Sequence, residues 1–475
     1  MPQHDLDFLF HPNSLALVGI TTAKTWHWTL TFLEGLLEIG FDRPLYLVNP
    51  KGGEIKGHKI YGSLKEVPGN IDYVIGLVNA YAAPKLVEEC AEKGVRAIHF
   101  CTAGFSETGE ADRVKLESEL AETARRKGIR IIGPNCMGIY CPQSRLSFSP
   151  AFPKESGPVG VISQSGGNSI YLVRQAALRG VRFSKVISYG NACDIDESDL
   201  LGYLANDADT KIIALYIEGI KDGIRFRKAM EEATKKKPVV LLKGGATEGG
   251  TRAAAGHTAA LAGSRTTWDA LCKQLGIIRV SSIEEMIDVL VALIFLPLLR
   301  GRNALLFGAG GGASVLISDE FESRGLKVPP IPPDIVAQIR EFTPVAGNIL
   351  RNPVDYSQAM MNVEGVVKTL DILSRWEGID FLVIFVRTGQ FTTSRISDTW
   401  VRNLVMTSFP VERGFFPKPL VMVLELSVMP EEAEAILAAI RGAVASELPV
   451  YYSFASAANA INLVLNHTEK RSKEL

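Results

Sequence analysis

The 475-residue sequence has no CxxC pair, no long apolar run and no excess of charge of either sign. Its six cysteines (Cys90, Cys101, Cys136, Cys141, Cys193, Cys272) are scattered. That usage suits a reducing cytoplasm and argues against a disulfide framework or a structural zinc site, so no metal ligand is expected. Lys and Arg total 51 against 52 for Asp and Glu, which leaves no global field to attract nucleic acid or an anionic membrane. The most apolar window, "VLVALIFLPLL" from Val289, is too short to cross a bilayer and contains Pro297. The start, "MPQHDLDFLF", lacks a basic segment followed by a long apolar one, so no signal peptide is expected. These absences point to a soluble cytoplasmic protein.

What the sequence does have is rhythm. Short apolar runs alternate with amphipathic stretches of helical period, the pattern of parallel sheets covered by helices. The first round holds "LALVGI", "PLYLVN", "YVIGLV", "AIHFCT" and "RIIGPN". After the proline-bearing link "CPQSRLSFSPAFPKESGP" a second round runs through "VGVISQ", "FSKVISYG", "KIIALYIEG" and "KPVVLLKGG". A third begins at "NALLFGAGGG" and passes "FLVIFVRTG" and "PLVMVLEL" to "LPVYYSF". The expected fold is α/β, with three doubly wound domains and breaks near residues 150 and 300. The second and third rounds have the look of related flavodoxin-like units.

In such sheets ligands bind beyond the carboxyl ends of the strands. At the first, "GITTAKTWHW" ends a strand at Gly19 and opens a helix expected near His27, whose free N–H groups suit a phosphate. Lys51 in "VNPKGG" stands ready for another phosphate, although the GxGxxG fingerprint and the acidic residue after the second strand are both missing. "CTAGFSETGE" and "IIGPNCMGIY" are glycine-bearing loops that alone say little. "VISQSGGNS" runs a strand into Ser163, Ser165, Gly166 and Gly167, a serine–glycine turn that can cradle a phosphoryl group. It lacks the GxSxG order of a nucleophile elbow. Glu218 ends the apolar run "IIALYIE", where a carboxylate is costly to bury without a partner. His257 sits among small residues in "GGATEGGTRAAAGHTAALAG". Small neighbours leave room for a bulky group on the ring, and a carboxylate partner would raise its basicity. A histidine that carries a phosphoryl group needs those features.

Several long motifs, in order, resemble one family. "RAAAGHTAALAGSRTTWDALCKQLGIIRV" is similar to the phosphohistidine segment of the NDP-forming acyl-CoA synthetases, the superfamily that includes succinyl-CoA synthetase. "SYGNACDIDESDLLGYLANDADTKIIALYIEGIKDG", "VISQSGG", "IGPNCMGI", "GAGGGASVLISDEFESRGL" and "NPVDYS" extend the likeness over essentially the whole chain. The resemblance implies an alpha-type subunit: a Rossmann-like CoA-binding domain at 1–148, a ligase domain with the phosphohistidine loop at 149–299, and a second flavodoxin-like ligase domain at 300–475. It implies catalytic roles for His257 and Glu218, the glutamate steadying the phosphorylated ring, and phosphate binding by Ser163, Ser165, Gly166 and Gly167. CoA contacts carried over from the family fall on Gly19, Thr21, Thr22, Lys24, Lys51, Thr102, Ala103, Gly104 and Asn135. ATP or ADP with Mg²⁺ is expected on a partner ATP-grasp beta subunit, and the acid is expected to be a small carboxylate. The first loop departs from the family, with His27 and Trp28 where relatives carry a small residue. That departure keeps two other readings open: a CoA-binding sensor or scaffold that has lost ligation, and a related acyl transferase or lyase.

Overall fold

The computed structural model describes residues 6–23, 25, 27–252, 264–296, 299–308, 310–357, 362–386, 414–426 and 430–474. The chain divides into two compact units, Met1–Gln175 with Arg182–Ile283 and Ala176–Val181 with Glu284–Leu475. All six cysteines are free thiols. Among the described residues no helix is long and apolar enough to cross a membrane.

The first unit holds two sheets. One comprises β1 (Leu15–Val18), β2 (Leu45–Val48), β3 (Gly53–Ile55), β4 (His58–Tyr61), β5 (Tyr73–Gly76), β6 (Ala97–Phe100) and β7 (Arg130–Ile132). Their order is β3-β4-β2-β1-β5-β6-β7, parallel except for the β3–β4 hairpin. With the hairpin edge set aside this is the doubly wound order of nucleotide-binding sheets, whose switch point lies between β1 and β5. The central strands are buried from end to end, as continuous apolar runs require when helices cover both faces. Val18, Val74, Ile98, Phe100, Leu86 and Leu120 belong to one packed core beneath them.

The second sheet contains β8 (Gly138–Tyr140), β9 (Ser156–Ser163), β10 (Phe183–Ser188), β11 (Ile212–Ile217), β12 (Val239–Lys243) and β13 (Ile278–Val280). Its order is β13-β12-β11-β9-β10-β8, with β8 antiparallel on the edge. The five parallel strands follow the 2-1-3-4-5 order of flavodoxin-like folds, so the switch point falls between β9 and β11.

The second unit repeats that plan. Its strands are β14 (Ala304–Gly308), β15 (Ile349–Leu350), β16 (Val354–Asp355), β17 (Phe381–Val386), β18 (Leu420–Leu424) and β19 (Val450–Tyr451), ordered β15-β16-β14-β17-β18-β19. Again the parallel strands read 2-1-3-4-5, with an antiparallel edge strand beside the second. Leu305, Phe307, Leu370, Ile384, Met422 and Ile440 join its core. The three α/β rounds of the sequence are therefore three parallel-dominated sheets.

Strands end sooner than the apolar runs suggest, because their last residues turn out of the sheet into the loops. The helix after β1 also starts later than expected. It spans Leu30–Ile39, after a turn in which Leu30 N–H donates to the His27 carbonyl (2.9 Å) and Thr31 N–H to Trp28 (3.1 Å). Six short strands outside the quoted runs, the β3–β4 hairpin, edge strands β8, β13 and β15, and β16, lack the length to show a period.

Candidate active site

At the β9–β11 switch point the chain gathers polar groups in an otherwise apolar layer. Ser163 ends β9 and is 1% exposed; its Oγ donates to the Ser165 carbonyl (2.9 Å) and accepts from Ser165 N–H (3.2 Å). Ser165 Oγ accepts from Asn168 N–H (3.3 Å), so it caps the helix Gly166–Leu178. At Gly166 a β-carbon would stand 2.5 Å from Met137 Cγ, whereas one at Gly167 would meet nothing within 4 Å. The turn is thus packed at Gly166 and open at Gly167, and it stands at the positive end of the helix dipole.

Glu218 follows β11 directly and is 6% exposed. Its carboxylate accepts from Tyr216 OH (3.0 Å). Burial, then the Glu218 charge, pushes the Tyr216 phenol well above its ordinary range, while a hydrogen bond with Asn168 opposes the shift. The backbone beside Glu218 is clamped by Gln164. Gln164 Oε1 accepts from the N–H groups of Glu218 and Gly219, and Nε2 donates to the Gly219 carbonyl (3.0 Å). Lys243, at the end of β12, donates to the carbonyls of Glu218 (2.6 Å) and Gly244. Burial lowers the Lys243 amine to about 8; the Glu218 charge works against that, and Arg279 adds to it. The structure therefore brings Ser163, Ser165, Gly166 and Glu218 together around Gln164. His257 lies outside the described residues.

Around the first sheet the remaining candidates occupy the carboxyl-end loops. Gly19 has φ +92°, and a β-carbon there would sit 2.8 Å from the Leu77 carbonyl atoms, so only glycine lets β1 turn past β5. Thr21 N–H donates to Thr29 Oγ1 (3.1 Å), which fixes the loop that contains Thr22. Asn49 Nδ2 donates to the Ile20 carbonyl (2.8 Å), and Asn49 Oδ1 accepts from Lys51 N–H (3.0 Å). The loops after β1 and β2 are tied, while Lys51 itself is exposed. Thr102 is buried and its carbonyl accepts from Asn135 N–H (2.8 Å). Ala103 is exposed beside it, and Gly104 adopts φ +99°. Lys24 lies outside the described residues. Trp28 is 43% exposed, its ring edge-on to Phe32 at 6.5 Å.

Asn191 joins the two sets of loops. Its N–H donates to the Pro134 carbonyl (3.0 Å), and its Nδ2 donates to Glu107 (2.6 Å) and Glu117 (2.8 Å). Two residues earlier, Tyr189 N–H donates to the Ser163 carbonyl (3.0 Å). A short path of hydrogen bonds and backbone thus runs from the serine turn to the loop of Thr102 and Gly104.

Two family models match: a CoA binding domain over residues 13–142 and a succinyl-CoA ligase like flavodoxin domain over residues 156–293. The Pyrococcus furiosus acetate–CoA ligase [ADP-forming] II subunit alpha is 38% identical over 91% of this chain and 92% of its own length. The subunit alpha of ligase I from the same organism is 36% identical over 84% and 86%. The chain belongs to this family of ADP-forming CoA ligase alpha subunits. A solved relative, the dinucleotide-forming acetyl-coenzyme A synthetase 1 of Ca. Korarchaeum cryptofilum in complex with phosphate and ADP, superposes with a TM-score of 0.81 at 28% identity, covering 99% of both chains.

Within this ligase subunit, Gln164, Tyr216, Asn168 and Lys243 are site neighbours to which the motifs gave no role. A signal for two of them exists. Lys243 closes β12 and Tyr216 stands one residue before the end of β11, polar-ended residues in apolar parallel strands much as Glu218 follows one. Gln164 stood inside a quoted motif, but nothing in sequence says that an amide side chain bridges two strand ends. A second strand-to-helix turn, Gly308 to Gly312, occupies the equivalent place in the second unit. There Gly310 N–H donates to Asp355 Oδ1 (3.0 Å) and Ser357 Oγ (3.0 Å) ahead of the helix Gly311–Ser323.

Proposed function

We propose that this ligase subunit interconverts a carboxylic acid, CoA and ATP with acyl-CoA, ADP and phosphate, and that His257 carries the phosphoryl group. The observation that carries the reading is Glu218: a carboxylate buried at the switch point, clamped by Gln164 and Tyr216 beside an open serine–glycine helix start. In the synthetic direction the imidazole takes the γ-phosphoryl of ATP and releases ADP. It then passes that group to a carboxylate oxygen of the acid, giving an acyl phosphate. The CoA thiolate attacks the acyl carbon, and the carbon–oxygen bond breaks to release phosphate. Glu218 accepts the N–H of the ring nitrogen opposite the phosphoryl group and stabilises its positive charge. Ser163, Ser165 and the first amides of the helix Gly166–Leu178 take the phosphoryl oxygens, because phosphoryl transfer is served mainly by positioning and charge stabilisation.

CoA binding falls to the loops with Gly19, Thr21, Thr22, Lys24, Lys51, Thr102, Ala103, Gly104 and Asn135. The fit rests on their place: Gly19 turns the chain out of β1 at the β1–β5 switch point, Gly104 turns with positive φ in the loop after β6, and exposed Lys51 supplies a charge for a phosphate. Residues 1–148 form the CoA-binding part, 149–299 carry the phosphohistidine loop, and 300–475 form the second ligase part. Nucleotide and Mg²⁺ are held by an ATP-grasp beta subunit, and the assembly works in the cytoplasm. The test is reconstitution of the chain with that subunit. Thioester formation from CoA, ATP and one of a panel of carboxylates is expected, with a loss of at least about a thousandfold in His257→Ala. Retention of turnover in that variant would remove the histidine from the reaction.

A further inference from the structure

We propose that a cleft of about 910 Å³ in the first unit, at the amino ends of β6 and β7, is a binding site for a polyphosphate-bearing small molecule. It lies away from the loops assigned to CoA, which follow the carboxyl ends of the same strands. The chain carries a net charge of only −1, yet cations line this concavity: Arg96 and Arg125 from the first sheet and its helix, Lys228 and Lys236 from the helix Gly223–Lys236.

The carboxylates of the cleft are already matched. Asp194 accepts from Arg130 Nε (2.9 Å) and Ile131 N–H (2.8 Å), Asp199 pairs with Arg225, and Glu232 with Lys235 (3.0 Å). The four cations named above have no carboxylate within ion-pair distance among the described residues. Lys236 donates to the neutral Asn206 Oδ1 (2.6 Å), and the Arg96 guanidinium carbon stands over the Phe8 ring, 4.1 Å from its centroid. A guanidinium over a ring face can still donate to an anion from its N–H groups, which arginine serves better than lysine.

A second observation points the same way. Ser198, 6% exposed, lines the same cleft, and its Oγ has no hydrogen-bond partner among the described residues. Buried hydroxyls are nearly always paired, so this one, at the wall of the cleft, is a polar group that a small rotation would offer to a bound anion. Unmatched cations in a concave site concentrate field and favour multiply charged anions. Phe8 and Ile129 add an apolar wall on which a base could rest.

Calorimetric titration of the full chain with inorganic tripolyphosphate at low salt tests the site. Arg125 and Lys228 are exposed, so the double variant Arg125→Glu/Lys228→Glu should keep its unfolding midpoint; Gly167→Asp serves as the control that blocks the serine–glycine turn with a charge. One tripolyphosphate per chain is expected, retained in Gly167→Asp and weakened about tenfold or more in the double variant, as loss of charge-assisted contacts requires. Titrating ADP into Gly167→Asp separates the sources: binding tighter than tripolyphosphate identifies a nucleotide, weaker binding identifies free polyphosphate, and either is lost in the double variant if the proposal holds. Absence of heat, binding lost with Gly167→Asp, or binding indifferent to the double variant overturns it.

Discussion

Lys243 gives the plainest residue-scale consequence of burial. Its amine sits at about 8 in the folded protein against 10.5 ordinarily. Between those two pH values the unfolded chain binds more protons than the folded one, so this group's contribution to stability rises with pH across that window. Urea unfolding of the wild type and Lys243→Met at intervals from neutral to alkaline pH should show a stability difference that shifts in favour of the wild type as pH climbs from 8 to 10. Parallel curves would mean that the amine titrates normally. Gln164 makes a different claim. Gln164→Leu strips partners from Glu218 N–H, Gly219 N–H and the Gly219 carbonyl, and each buried backbone group left unpaired costs about 1–3 kcal/mol. A drop of at least about 2 kcal/mol in unfolding free energy is expected, with phosphoryl transfer lowered and CoA affinity unchanged. A matching loss of CoA affinity would show that the clamp serves the whole unit and not the Glu218 side alone. For Trp28, exposed beside the β1 loop, Trp28→Ala should alter KM for CoA several-fold while leaving kcat near its original value; equal effects on both would place the ring in the chemistry.

The elements show which parts of the chain were legible and which were not. Fully buried parallel strands such as Val159–Ile162 announce themselves as apolar runs, and glycines at positive φ, such as Gly19, mark where strands must turn hard. Short edge strands do not: β15 has two residues, too few to carry a period. The helix after β1 was misplaced by three residues because His27 and Trp28 continue the apolar pattern, although Thr29 holds the actual capping position. Two glycines test the turn geometry at this scale. Gly19→Ala combines positive φ with a clash against the Leu77 backbone and should cost about 1–3 kcal/mol in denaturant unfolding. Gly167→Ala meets nothing within 4 Å and should leave stability within about 0.5–1 kcal/mol, the helix-interior propensity difference. The reverse ranking would contradict the packed and open sides described for these turns.

Across the whole molecule, the three-round α/β plan came from periodicity, whereas the catalytic reading came from ordered motifs that no periodicity could supply. Composition bears on bulk charge and apolar run length, but it is silent on where polar groups meet. Ser163 and Gln164 are separated from Glu218 by more than fifty residues of chain, and the three come together only because β9 and β11 are neighbours at a switch point. Asn191 is the other case: nothing in "SYGNACDID" reveals that its amide reaches Glu107 and Glu117, or that Tyr189 nearby reaches Ser163. The carboxylic acid is unreadable from sequence because no charged cluster in the ligase domains defines its pocket. The central claim, phosphate carried on one imidazole, is tested most directly by incubating the chain and the proposed ATP-grasp beta subunit with γ-labelled ATP and Mg²⁺ and mapping the label. The expected result is one acid-labile, alkali-stable phosphoryl group on His257, absent in His257→Ala and much reduced in Glu218→Gln. Full labelling of His257→Ala, or no label on a preparation that still makes thioester, would contradict it.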